Sequence, residues 1–108
     1  MEMEKKLKAE FDRIFDLAKF EPKPLEAMGL KLFEEGGELS EAINHQLGHL
    51  PHKTMKEPLA GEVADVINVV LSIFKKAYAD KTNEELFEML IEQLSKKSDK
   101  WESVMVKT

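Results

Sequence analysis

The chain has no cysteine. Disulfides, thiolate zinc sites and cysteine nucleophiles are therefore excluded, and a reducing cytoplasm suits it. It also lacks an excess of positive charge. The formal net charge is −5, which argues against a nucleic acid polymer or an anionic membrane surface as partner. No apolar run approaches a membrane span, and the opening Met-Glu-Met-Glu-Lys-Lys lacks the apolar core of a signal peptide. Internal repeats and low-complexity segments are missing as well. The expectation is a cytoplasmic protein, and its 108 residues predict one domain, 1–108. A monomer of this size buries a modest share of its surface, so help from a partner subunit is expected.

What is present reads as four helices. Met3, Leu7, Phe11, Ile14, Phe15 and Ala18 recur at spacings of three and four, which predicts an amphipathic helix from about Glu2 to Phe20. Glu21-Pro22-Lys23-Pro24 ends it. A second helix is expected from about Leu25 to Leu47, interrupted in propensity by Gly29, Gly36 and Gly37. Turn residues fill Gly48 to Lys53. Thr54 and Glu57 have capping-box spacing, which places the start of a third helix near Thr54 to Pro58. Its inner face is read as Val63, Val66, Ile67, Val70 and Phe74, with an outward return at Lys75-Lys76. Thr82 and Glu85 repeat the capping-box signature and open a fourth helix, whose apolar stripe weakens after Leu94 and whose end frays from Met105. The fold class is all-α, four helices in one bundle-like domain.

Two acidic stretches interrupt this plain pattern. Stepping the second helix at about 100° per residue puts Leu25, Met28, Leu32, Leu39, Ile43 and Leu47 in one arc. Glu35 falls at the edge of that arc, roughly 60° from its centre, with Glu38 and Lys31 on the same flank. Glu34 and Glu41 point to solvent. On the third helix Glu62 and Asp65 share one flank, continued by Asn68 and Ser72. Side-by-side packing would converge Glu35, Glu38, Glu62 and Asp65. Four carboxylates with neither histidine nor cysteine suit a hard cation, Mg²⁺ first and Mn²⁺ as a substitute. Gly36 and Gly37 would permit a close neighbour at such a site or ease tight helix packing.

The pattern Glu34-Glu35-Gly36-Gly37-Glu38, a spacer of 23 residues, then Glu62-Val63-Ala64-Asp65 resembles the EExxE…ExxD signature of the MazG-like, all-α nucleoside triphosphate pyrophosphohydrolases. Lys97-Ser98-Asp99-Lys100-Trp101 is similar to the basic-aromatic tail of many members. The resemblance covers roughly residues 25 to 101. It implies a dimer or dimer of dimers that hydrolyses a (deoxy)nucleoside triphosphate to the monophosphate and pyrophosphate with magnesium. Carried over by position, Glu35, Glu38, Glu62 and Asp65 are the metal ligands. Water would attack the α-phosphorus, with Glu38 as first choice to accept its proton. Glu34 either orients a water or has no catalytic part. Lys31 is a phosphate contact or a surface lysine paired with Glu35. Asn68 touches the nucleotide or bonds backbone. Lys97 and Lys100 reach phosphates or are solvated.

Rival readings remain. A di-iron carboxylate bundle needs Glu-x-x-His pairs, and Asn44, not His45, stands three residues after Glu41. His45 and His49 have zinc-compatible spacing but no shared acidic partner. A non-catalytic helical interaction protein would need the apolar faces alone. Within the superfamily, a phosphoribosyl-ATP pyrophosphohydrolase or a dUTPase-type enzyme stays open.

Overall fold

The computed structural model describes residues 1–50, 54 and 57–106. All regular structure among them is helical: α1 (Glu2–Ala18), α2 (Leu25–Gln46), α3 (Leu59–Ala77) and α4 (Asn83–Met105). The all-α expectation therefore holds. No helix among the described residues is long and apolar enough to cross a membrane. Internal contacts group Met1–Ala77 as one compact unit and Tyr78–Thr108 as another.

In the first unit α3 is the central element and packs on both α2 and α1. Against α1 the core is aromatic. Phe15 is fully buried, and its ring meets Phe11 edge-on at 6.4 Å and Phe74 of α3 at 6.5 Å. Such edge contacts contribute about 0.5–1.5 kcal/mol each beyond the area they bury. The Lys76 ammonium donates to the Glu21 carbonyl at 2.7 Å and ties α3 to the chain leaving α1. Met3 and Leu7, expected on the inner face of α1, are exposed. The helix runs past the end of the core there, so its stripe continues without a partner in this unit.

Against α2 the buried residues are Met28, Glu35 and Ala42, seven apart and therefore on one line of the helix. Leu25, Ile43 and Leu47 lie near the helix ends and are exposed. At the far end Gly48 takes φ +81°, and the amides of Gly48 and His49 donate to the carbonyls of His45 and Asn44. That left-handed residue closes the last turn as glycine does most easily. Pro51 to Lys53 lie outside the described residues.

The start of α3 differs from expectation. The helix begins at Leu59, so Thr54 and Glu57 precede it and do not cap it from within. Instead the Pro58 carbonyl receives the amides of Gly61 at 2.9 Å and Glu62 at 3.3 Å. The inner face of α3 also differs. Leu71, Glu62 and Lys75 are its buried residues, whereas Val63, Ile67 and Val70 are partly exposed. Lys75, expected to turn outward, is 6% exposed. Because α3 lies between two helices, it buries two opposite sides and cannot have one inner face.

In the second unit the expected capping box is complete. Glu85 donates its amide to Thr82 Oγ1 at 3.1 Å, and Thr82 donates its own to Glu85 Oε1 at 2.9 Å. Leu86 is fully buried, and Phe87, Met89 and Leu90 are half-buried. From Ile91 to Val106 every residue is exposed. The helix persists to Met105, and Lys107 and Thr108 lie outside the described residues.

Truncating the aromatic centre tests this packing. Phe15→Ala should lower the unfolding free energy by about 3–5 kcal/mol, read as a shift of the urea midpoint.

Candidate metal centre

The α2–α3 contact carries the acidic residues. Glu35 lies on the buried line of α2 and is 7% exposed. Glu62 stands in the first turn of α3 and is 6% exposed, and Asp65, one turn on, is half-buried. Carboxylate oxygens of Glu35, Glu62 and Asp65 lie within 4.8 Å of one another. A second group shares Glu35: oxygens of Glu34, Glu35 and Glu38 also fall within 4.8 Å, with Glu34 and Glu38 exposed at the rim. Glu35 thus joins an enclosed triad to an open one. It sits at the centre of the helix face rather than at the edge the wheel placed it on. The exposed end residues Leu25, Ile43 and Leu47 had drawn the expected arc aside.

The enclosed oxygens lack donors. Glu35 Oε1 accepts from Lys31 at 3.0 Å, but its Oε2 is buried without a hydrogen-bond partner among the described residues. Glu62 Oε2 is in the same state. A buried polar atom with no partner costs about 1–3 kcal/mol, more when charged. Oxygen atoms facing one another with no donor between them fit a cation, and a donor set of carboxylates alone fits a hard divalent one.

Neighbouring charge shows in the titration of the rim. Glu38 holds its proton more tightly than usual, chiefly because of the Glu35 charge, with burial and Glu62 adding to it. Lys31 is held charged above its usual range by its bond to Glu35 and the charge of Glu34, which it also approaches at 3.8 Å. Among the alternatives for Lys31, the ion pair with Glu35 is therefore present.

A further carboxylate lies beside the cluster. Glu57, read as half of a capping box, lies against the site, and its acidity is weakened to a pKa of about 7. A hydrogen bond with Asp65 is the main cause, followed by burial, the Asp65 charge and the same two effects of Glu62. Its side chain folds back over Gly61, where a Cβ would come 3.1 Å from Glu57 Cδ. The available signal was Glu57-Pro58-Leu59-Ala60-Gly61-Glu62, a carboxylate before a helix start and a glycine beneath it.

Other expected site residues stand elsewhere. Asn68 is exposed and lines a groove of about 680 Å³ walled by Phe11, Ile14 and Leu17 of α1 and Ala64 and Ile67 of α3. Its carbonyl accepts from Ser72 at 2.8 Å. Lys97 and Lys100 are exposed on α4, in the second unit. Glu34 is exposed as expected, but Glu41 is half-buried and partnered rather than turned to water. A Cβ at Gly36 or Gly37 would meet nothing within 4 Å, so neither glycine admits a close neighbour from this chain.

Two outcomes follow for the protein held in chelator. Glu62→Met removes a buried carboxylate whose Oε2 lacks a donor, at similar volume, and should raise the unfolding free energy by about 1–3 kcal/mol in urea titrations. Glu57 binds its proton more tightly folded than unfolded, so its contribution is full below about pH 4.5 and is lost as pH rises through about 7. Melting temperatures in EDTA should fall across that window, and Glu57→Gln should flatten the fall.

No family model, no curated protein and no solved structure matches this chain, so the assignment of the centre stands on the chemistry of its own residues.

Proposed function

We propose that the protein is a divalent-cation-dependent nucleoside triphosphate pyrophosphohydrolase of the MazG-like kind, active as a homo-oligomer. The main support is the pair of buried, donorless oxygens, Glu35 Oε2 and Glu62 Oε2, brought together from two helices beside Asp65. A fold keeps such groups at a cost in stability, which a bound cation offsets. Glu35, Glu62 and Asp65 would hold Mg²⁺, or Mn²⁺ in its place, with Glu38 approaching from the rim. When bound, the ion neutralises phosphate oxygens and lowers the pKa of an attached water.

The remaining chemistry belongs to side chains. Glu38 is exposed beside the enclosed triad, where it can take the proton from water attacking the α-phosphorus in line as pyrophosphate leaves. Glu34, next to it, orients that water. Lys31 fixes one oxygen of Glu35 and offers its charge to the incoming phosphates. Asn68 lies one turn past Asp65 and faces the α1–α3 groove, which would receive the sugar or base. The partly exposed Val63, Ile67 and Val70 supply apolar surface for the subunit contact.

A non-catalytic helical interaction protein is the second reading. The exposed Ile91, Leu94, Trp101 and Val104 on α4 favour it, but it leaves the donorless carboxylates without a purpose. A panel of canonical dNTPs, dUTP, damaged nucleotides and phosphoribosyl-ATP, each with Mg²⁺ or Mn²⁺, separates these alternatives. Pyrophosphate should appear from at least one substrate, with none in EDTA. Glu38→Gln should lower kcat by about 100-fold or more. Turnover of nothing on the panel would leave the interaction protein standing.

A further inference from the structure

We infer that Glu57 is a further carboxylate ligand of the centre, reaching in from outside both helices to complete the oxygen shell around the cation held by Glu35, Glu62 and Asp65. This rests on the metal-dependent reading above and adds a residue that lies outside the EExxE…ExxD pattern.

Three observations converge on it. First, Glu57 lies before the first turn of α3, yet its side chain folds back over Gly61, the residue before Glu62. Once ionised, a carboxylate brought up to two others is repelled by both. Second, the approach depends on Gly61. A Cβ there would stand 3.1 Å from Glu57 Cδ and 3.2 Å from Oε2, tighter than ordinary contact. The chain leaves out a side chain at the one point over which the carboxylate passes. Third, the enclosed oxygens Glu35 Oε2 and Glu62 Oε2 have no partner, so this corner of the α2–α3 contact is unfinished without a positive charge.

The helix start does not need Glu57. The Pro58 carbonyl already takes the amides of Gly61 and Glu62. A packing role would be served better by a neutral or basic side chain in the same place. A divalent cation supplies the missing reason. Magnesium prefers octahedral oxygen coordination, and one oxygen each from Glu35, Glu62 and Asp65 leaves room for a further carboxylate as well as water and phosphate.

Calorimetric titration of Mg²⁺ and Mn²⁺ into the full chain tests this, without nucleotide. Wild type, Glu57→Gln, Gly61→Ala and a distant control, Glu26→Gln, are compared, each also melted with and without cation. Glu57→Gln should weaken Mn²⁺ binding by about tenfold or more and shrink the cation-induced rise in melting temperature. In chelator at alkaline pH its melting temperature should equal or exceed that of wild type, because a repulsion has gone. A merely structural Glu57 would lower it instead. Gly61→Ala keeps every carboxylate and should still lose affinity several-fold. Glu26→Gln should match wild type. If Glu57→Gln binds Mn²⁺ as tightly as wild type and gains the same stabilisation, the assignment of Glu57 is overturned while the centre survives. If wild type itself takes up no cation at millimolar concentration, the centre and the hydrolase reading fall together.

Discussion

Two carboxylates buried between α2 and α3 govern this structure. Glu35 and Glu62 occupy positions where a helix contact ordinarily places leucine or alanine, and each keeps an oxygen that no donor among the described residues reaches. Ion pairs on the surface, such as Lys8–Asp12 or Lys96–Glu92, add little by comparison, because solvent screens them. The aromatic contact of Phe15 with Phe74 holds α3 against α1 on its other side and so steadies the helix that carries Glu62 and Asp65. Stability is supplied on one side of α3 and given up on the other.

This division separates the acidic cluster from the apolar packing along one helix. Leu71 and Phe74 lie in the later turns of α3, while Glu62 and Asp65 lie in its first two. The acidic end is the N-terminal end, where the helix dipole favours negative charge. That placement lowers the cost of gathering carboxylates there. Lys31 acts similarly on α2 by committing itself to Glu35.

Most of the helical framework could be read from the residue pattern, because its signals are local. The Thr82–Glu85 capping box and the proline break after Phe20 act over a few residues and need no knowledge of neighbours. The faces were harder. A wheel weights every apolar residue equally, so Leu25, Ile43 and Leu47 shifted the expected centre of α2 although they are exposed near its ends. For α3 the pattern predicts a single inner face where two exist, and so it places on the outside a Lys75 that is buried. The candidate ligands Glu35, Glu62 and Asp65 were found together because spacing on two helices carried the information. Glu57 was missed because a residue before a helix has no place on its wheel, and its fold-back over Gly61 is a three-dimensional fact. Asn68 followed the flank of Asp65 by one turn, but the groove it faces is made by α1, which the wheel of α3 does not contain.

The paired glycines of α2 have an effect beyond the space around them. Neither Gly36 nor Gly37 lies against another of the described residues, so their absent side chains serve no contact among them. What they change is the backbone itself: each weakens a helix interior by about 1 kcal/mol relative to alanine. The weak point falls between Glu35 and Glu38, the carboxylates that link the enclosed and the open halves of the centre. Amide exchange at this turn is therefore set by the lowest intrinsic helix propensity in α2, and an ion bridging across it would slow that exchange. The loading of the centre would be written into the protection of the backbone between its ligands.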